Sequence, residues 1–139
     1  MIYMKKIVLL IIILTAVVGC DKGDDLQEIF QNRKWTLSFF REGSYINSIK
    51  GDYRIQFHEN VFTATTPRGA LIEGYWEADN KKKSFRCRQV KITSGNIVGD
   101  TTALKMKSFL ENATSYEGDA NVLKIRELPN KYMQFHNKY

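Results

Sequence analysis

Thiols and imidazoles, the side chains most often used in catalysis and metal binding, number two each in this sequence. Cys20 and Cys87 are the two thiols, and His58 and His136 the two imidazoles. A zinc site takes three or four ligands. Two histidines with no cysteine pair beside them do not supply that number, and each ends a strand pattern on the side away from the inward aromatic. Glu73 and Glu77 share one face of a strand about 13 Å apart at ~3.3 Å per residue. That is wider than the roughly 5–9.5 Å of a glycosidase pair. A nucleophilic cysteine needs exposure and a neighbouring cation or base. Cys87 alternates with Phe85 onto the inward face, while Arg86 and Arg88 point the other way, so it reads as a buried, inert thiol. No Gly-x-Ser-x-Gly, phosphate loop or dinucleotide fingerprint is present. The expectation is a protein that is not an enzyme, with no catalytic residue, metal ligand or cofactor.

Charge offers one cluster, Lys81-Lys82-Lys83 with Arg86, Arg88 and Lys91. It has the chemistry to touch anionic headgroups or polysaccharide. Lysines also protect exposed hairpin tips and sheet edges, and a solvated tip is the preferred interpretation. Without Lys5 and Lys6 the formal net charge of +6 falls to +4, a mild excess that requires no nucleic acid. Tyr45, Tyr132 and Tyr139 are expected to be exposed aromatics with the chemistry to stack on sugars, and packing at strand ends is the preferred interpretation.

The segment ahead of Cys20 has the order of a secretory signal peptide. Lys5 and Lys6 are the positive start, Ile7 to Val18 is apolar apart from Thr15, and Gly19-Cys20 closes it. A membrane span needs roughly 20 apolar residues, more than this run holds. A core helix would show a polar face, which this one lacks.

Val17-Val18-Gly19-Cys20 resembles a bacterial lipobox. The resemblance implies a lipoprotein signal peptide over residues 1–19 and a thioether-linked diacylglycerol on Cys20. Cleavage before Cys20 then frees an amine for a further acyl chain such as palmitate. Cys87 is then the only free thiol, and no intrachain disulfide can form. Residues 20–31 become the lipidated cysteine and a short acidic tether, of which Asp21–Asp25 reaches about 17 Å when extended. Asp21, Asp24 and Asp25 resemble a Bacteroidetes signal for transfer to the outer cell surface. Asp100-Thr101-Thr102 resembles the O-glycosylation acceptor of exported Bacteroidetes proteins, with Thr101 as the modified residue; helix capping explains the same three residues. The implied location is the cell envelope, lipid-anchored to a bacterial membrane, with the outer membrane favoured and either face open.

The remainder must fold around its own core. Leu26, Ile29 and Phe30 stand at i, i+3, i+4, one apolar stripe on a helical turn. "KWTLSFF" alternates, placing Trp35, Leu37 and Phe39 together. Tyr53, Ile55 and Phe57, then Phe62 and Ala64, form a hairpin that Pro67 and Gly69 stop. Ile72, Gly74, Trp76 and Ala78 pair with a strand carrying Phe85 and Cys87, and a one-residue slip predicts a β-bulge near Arg88-Gln89. Ala103, Met106, Phe109, Leu110 and Ala113 then recur every three to four residues, an amphipathic helix capped by Asp100, Thr101 or Thr102. Leu123 and Ile125, then Met133 and Phe135, return to period two. The economical solution is a mainly β fold. It is a small antiparallel β-barrel or roll of about seven to eight strands, with one helix before the C-terminal hairpin.

The tryptophan strand, the "IQFHENVFTATTPRGALIEGYWE" hairpins and "SFLENATSYEGDANVLKIRELPNKYMQFH" together resemble the META domain of small bacterial lipoproteins. A lipocalin-like barrel, which also begins on a tryptophan strand, is the rival resemblance. The domain organisation expected is therefore 1–19, 20–31 and a META-like or lipocalin-like β domain over 32–139. The first resemblance implies a non-catalytic envelope lipoprotein, a structural or interaction domain that meets the membrane through Cys20 and can meet another envelope protein. The second implies a binder of a small apolar ligand. The two differ in whether the barrel interior is filled or hollow.

Overall fold

The computed structural model describes residues 26–31 and 33–137. Cys20, the apolar run before it, the tether Asp21–Asp25 and Tyr139 lie outside the described residues. Nine strands form among them: β1 (Lys34–Glu42), β2 (Tyr45–Ser48), β3 (Arg54–Phe57), β4 (Val61–Thr65), β5 (Leu71–Asp79), β6 (Ser84–Ser94), β7 (Ser115–Gly118), β8 (Val122–Leu128) and β9 (Lys131–Asn137). A helical turn, α1, covers 26–29, and α2 runs Thr101–Glu111.

The strands form one antiparallel sheet in the order β2-β1-β3-β4-β5-β6-β7-β8-β9, and β1 also pairs with β9, closing the ring. β2 and β3 lie along the same edge of β1, β2 against Phe39–Glu42 and β3 against Lys34–Thr36. They are one stave interrupted by the excursion through Gly51, whose φ of 108° suits glycine. The wall is thinnest between β6 and β7, which share only the Ser84↔Ser115 pair. There α2 packs across β6, β8 and β9, burying Ala103, Met106, Phe109 and Leu110. Its N-cap is Asp100, whose side chain accepts from the Ala103 N–H at 3.0 Å.

The mainly β barrel with one helix ahead of its C-terminal strands is thus the fold the sequence predicts. Two strands enlarge it. β2 buries none of its residues, so no apolar alternation marks it. β7 is four residues long and follows directly on the helix.

Bulges account for the other differences. Leu37 faces Phe135 while Phe39 faces Gln134, so Ser38 is an extra residue in β1. The slip turns Phe40 into the core and leaves Phe39 half-buried on the outer wall. Tyr132, expected at the surface, is only 7% exposed. Phe39 lies 6.2 Å from its ring, and the Lys124 and Arg126 cations lie over it at 5.2 and 5.7 Å. In β6 the predicted bulge is present. Tyr75 faces Arg88 and Glu73 faces Lys91, so Gln89 and Val90 together oppose Gly74. A Cβ on Gly74 would meet Phe62 Cε1 at 2.9 Å and the Arg88 carbonyl at 3.0 Å, which is why the smallest residue stands there.

Candidate functional site

The barrel interior is the natural place for a ligand, and side chains fill it. Phe30, delivered by α1, is fully buried. Its ring lies 5.0 Å from Phe57, 4.9 Å from Trp76, 5.6 Å from Phe85 and 5.0 Å from Tyr116. Trp35, Leu37, Ile55, Phe62, Ile72, Leu123, Ile125, Met133 and Phe135 complete that core, each at most 2% exposed. At the other end Phe40 stacks on Phe109 of α2 at 5.3 Å. Both indole N–H groups are satisfied by backbone carbonyls, Trp35 Nε1 donating to Ile29 and Trp76 Nε1 to His58, each at 2.8 Å. Edge-to-face and offset packing at such distances is what close-packed aromatic interiors use.

The reactive side chains do not converge. Cys87 is 7% exposed, and burial pushes its thiol well above the ordinary range. A thiol held in its neutral form is a poor nucleophile. His136 sits half-buried on β9 with its Nδ1 2.6 Å from the Ser38 hydroxyl. His58 lies exposed in the β3–β4 turn. Glu73 accepts from the Thr93 hydroxyl, and Glu77 is exposed opposite Arg86. Among the described residues, no three His, Cys, Asp or Glu side chains are placed to hold a metal ion.

A cleft of about 660 Å³ opens where β5, β6 and the end of α2 meet, lined by Glu77, Asp79, Arg86, Cys87, Glu111 and Asn112 among others. It is a surface groove at the thin seam of the wall. Beside it, Lys81, Lys82 and Lys83 are exposed at the β5–β6 hairpin tip. Asp79 organises that tip by accepting from the Lys81 and Lys82 N–H groups at 2.9 and 3.2 Å. Those two backbone donors hold its carboxyl below the usual aspartate range.

The tip shares an end of the barrel with the chain's entry. The register places the start of β1 beside the end of β3, and the β3–β4 and β5–β6 turns follow at that same end. Phe30 packs there, against Phe57, Trp76 and Phe85. The opposite end carries the β1–β2 turn, the start of α2 and the β8–β9 turn.

Thr101 stands exposed at that far end, at the first position of α2. Its neighbour Asp100 is buried and doubly engaged, capping the helix and accepting from the Tyr53 hydroxyl at 2.7 Å. Burial first, and then the Asp100 carboxylate, raises the Tyr53 pKa above 10.0. A phenol whose folded pKa is raised contributes stability fully present below the unfolded value and lost as pH rises through the folded one. Tyr53→Phe is therefore expected to cost about 1–2 kcal/mol near neutrality. It should also flatten the decline in stability above about pH 10, both read from urea midpoints of the two proteins at neutral and alkaline pH.

The fold has counterparts of known structure. A DUF4847 family protein from Bacteroides vulgatus superposes with a TM-score of 0.60 at 23% identity, covering 80% of this chain and 96% of that one. A protein from Burkholderia xenovorans superposes with a TM-score of 0.61 at 8% identity, covering 81% and 86% respectively. At these identities the likeness is one of fold. No curated protein matches the chain. The sequence profile described as "Domain of unknown function (DUF4847)" matches residues 41–137.

Proposed function

The chain belongs to the DUF4847 family, and from that premise we propose that it is a non-catalytic lipoprotein of the cell envelope. In this proposal it is held to a bacterial membrane through acylated Cys20 and presents a filled β-barrel as a structural or interaction module. The observation that carries the barrel's part is the occupied interior. With Phe30, Trp35, Phe57, Phe62, Phe85 and Phe135 at most 1% exposed, the space a small apolar ligand would need is taken by the protein's own rings. Ligand pockets of carrier proteins run to about 300–1,000 Å³. Clefts of comparable size here, of about 660, 530 and 320 Å³, are open to the surface, and the first is lined largely by charged and polar side chains.

The anchor's part is supported by the sequence Lys5–Cys20, with its basic start, short apolar run and lipobox-like ending. Two acyl chains or more hold a protein stably on a bilayer, at about 0.8 kcal/mol per buried methylene. The dispersed histidines and the buried Cys87 support the absence of catalysis. Thr101 is the residue we assign to glycan attachment, supported by its exposure at the start of α2.

The alternative is a lipocalin-like carrier, and extraction separates the two. Protein purified from membranes in mild detergent is extracted with organic solvent, and the extract is analysed by mass spectrometry. The filled barrel predicts no non-covalent apolar compound beyond the bulk lipid composition. One equivalent of a single enriched compound per chain would establish the carrier instead.

A further inference from the structure

The sheet has a bare edge at β2. β4 pairs with β3 only as far as Arg54↔Thr65. It then turns away through Thr66–Ala70, where the Thr66 N–H donates to the Ala70 carbonyl at 3.1 Å and the Gly69 N–H to the Thr66 carbonyl at 3.0 Å. The stave it follows continues past that point as β2. Among the described residues, β2 is hydrogen-bonded to β1 alone.

The pairing fixes which backbone groups face outward. Glu42↔Tyr45 closes the β1–β2 hairpin and Phe40↔Asn47 follows it, while the Ile49 N–H donates to the Ser38 carbonyl at 2.9 Å. In an antiparallel ladder hydrogen-bonded pairs alternate with non-bonded ones. Tyr45, Asn47 and Ile49 therefore bond inward to β1, and the N–H and C=O groups of Ile46 and Ser48 point away from it. Natural edges are usually blunted by charge, proline or a bulge. Residues 43–49, Gly-Ser-Tyr-Ile-Asn-Ser-Ile, hold no charge and no proline, and Tyr45 and Ile46 are 66% and 55% exposed. Leu128, 59% exposed, lies three strands from Tyr45 at the same end of the barrel. It flanks the β8–β9 turn, whose Asn130 carbonyl accepts from the Gly43 N–H at 2.8 Å.

We propose that β2 is a homodimer edge, pairing antiparallel with β2 of a second copy about a two-fold axis at Asn47. The segment is complementary to itself in that register. Ile46 of each copy faces Ser48 of the other, and these are the residues whose free groups point outward, so four backbone hydrogen bonds form. Registers shifted so that Ile46 or Ser48 meets its own copy form fewer. Asn47 meets Asn47, and an amide carries both donor and acceptor. The absence of charge removes the repulsion that an edge of one sign would suffer against itself. An isologous contact of this kind closes at two copies. The inference goes beyond the anchor proposal and does not depend on it.

Cysteine cross-linking of the full chain in unfractionated lysate of its own cells tests it. A non-hydrogen-bonded antiparallel pair has Cα atoms about 4.5 Å apart, within the roughly 4.4–6.8 Å a disulfide spans. Asn47→Cys is expected to convert to a species of doubled mass under mild oxidation. Ser48→Cys, on the other face and facing Ile46 across the axis, should do so at least tenfold less, as should the unmodified chain. Equal cross-linking at both positions, a monomer at both, or an Asn47→Cys adduct of any mass other than double would overturn the proposal.

Discussion

Phe30→Ala is expected to lower the stability of the barrel by about 3–5 kcal/mol, the range for truncating a buried phenylalanine. The upper part of that range applies because the vacancy cannot collapse easily. Phe30 touches four rings on three strands of the wall and on β7, and each is fixed by its own strand. The effect is large for a residue next to a four-residue helical turn that stands before residues 41–137, the part matched to the family. It follows from the way α1 closes one end. The Phe30 N–H donates to the Leu26 carbonyl at 3.0 Å, and the Trp35 indole is tied to Ile29, so the turn and the first strand form one plug. Urea unfolding followed by the emission of Trp35 and Trp76 measures the loss. Leu104→Ala, at a position 49% exposed on α2, serves as the comparison and should stay within about 0.5 kcal/mol of the parent. A Phe30→Ala cost below about 1 kcal/mol would mean that α1 is not part of the barrel core.

Cys20→Ala is expected to abolish labelling by palmitate and to leave the precursor uncleaved. The reason is chemical. Thioether formation needs a sulfur nucleophile, and alanine offers none. An unprocessed chain would keep its apolar run from Ile7 to Val18, which is short of the roughly 20 residues that span a bilayer. Membrane attachment should therefore become weak and extractable at alkaline pH, whereas two acyl chains resist such extraction. Label persisting on the Cys20→Ala variant would remove Cys20 from the attachment chemistry.

Much of the barrel can be read from the sequence, because a half-buried strand writes its orientation every second residue. Ile55, Phe57, Phe62, Ala64, Ile72, Trp76 and Phe85 all face inward as their alternation predicts. So do Leu123, Ile125, Met133 and Phe135, and α2 with its Asp100 cap lies where the change to a three-to-four period places it. The features that differ have physical causes. The extra residue Ser38 exchanges Phe39 for Phe40, and a bulge in β1 is set by its pairing with β9 almost a hundred positions away. That same long-range pairing closes the ring, and no local pattern encodes it. β2 is invisible to alternation because it has no buried face. Tyr132 is covered on the outer wall by Phe39 and two cationic side chains, a form of burial that period two does not register.

The site residues are legible to different degrees. Cys20 is a motif feature and lies outside the described residues. Cys87 falls on the inward face as expected because it alternates with Phe85. Thr101 can be located at a helix start, but the buried Tyr53–Asp100 contact beside it joins residues 47 positions apart and has no sequence signal.

The anchor matters to the proposed function as much as the barrel does, and one measurement reaches it directly. The protein is extracted from the membrane fraction of its own cells, cleaved with trypsin and analysed for its N-terminal peptide by mass spectrometry. The expected result is a peptide beginning at Cys20 and ending at Lys22, carrying the mass of a diacylglycerol on sulfur with or without a further acyl chain on the amine. An unmodified peptide from Ile7 to Lys22, or a mature chain starting after Cys20, would contradict lipid anchoring at Cys20.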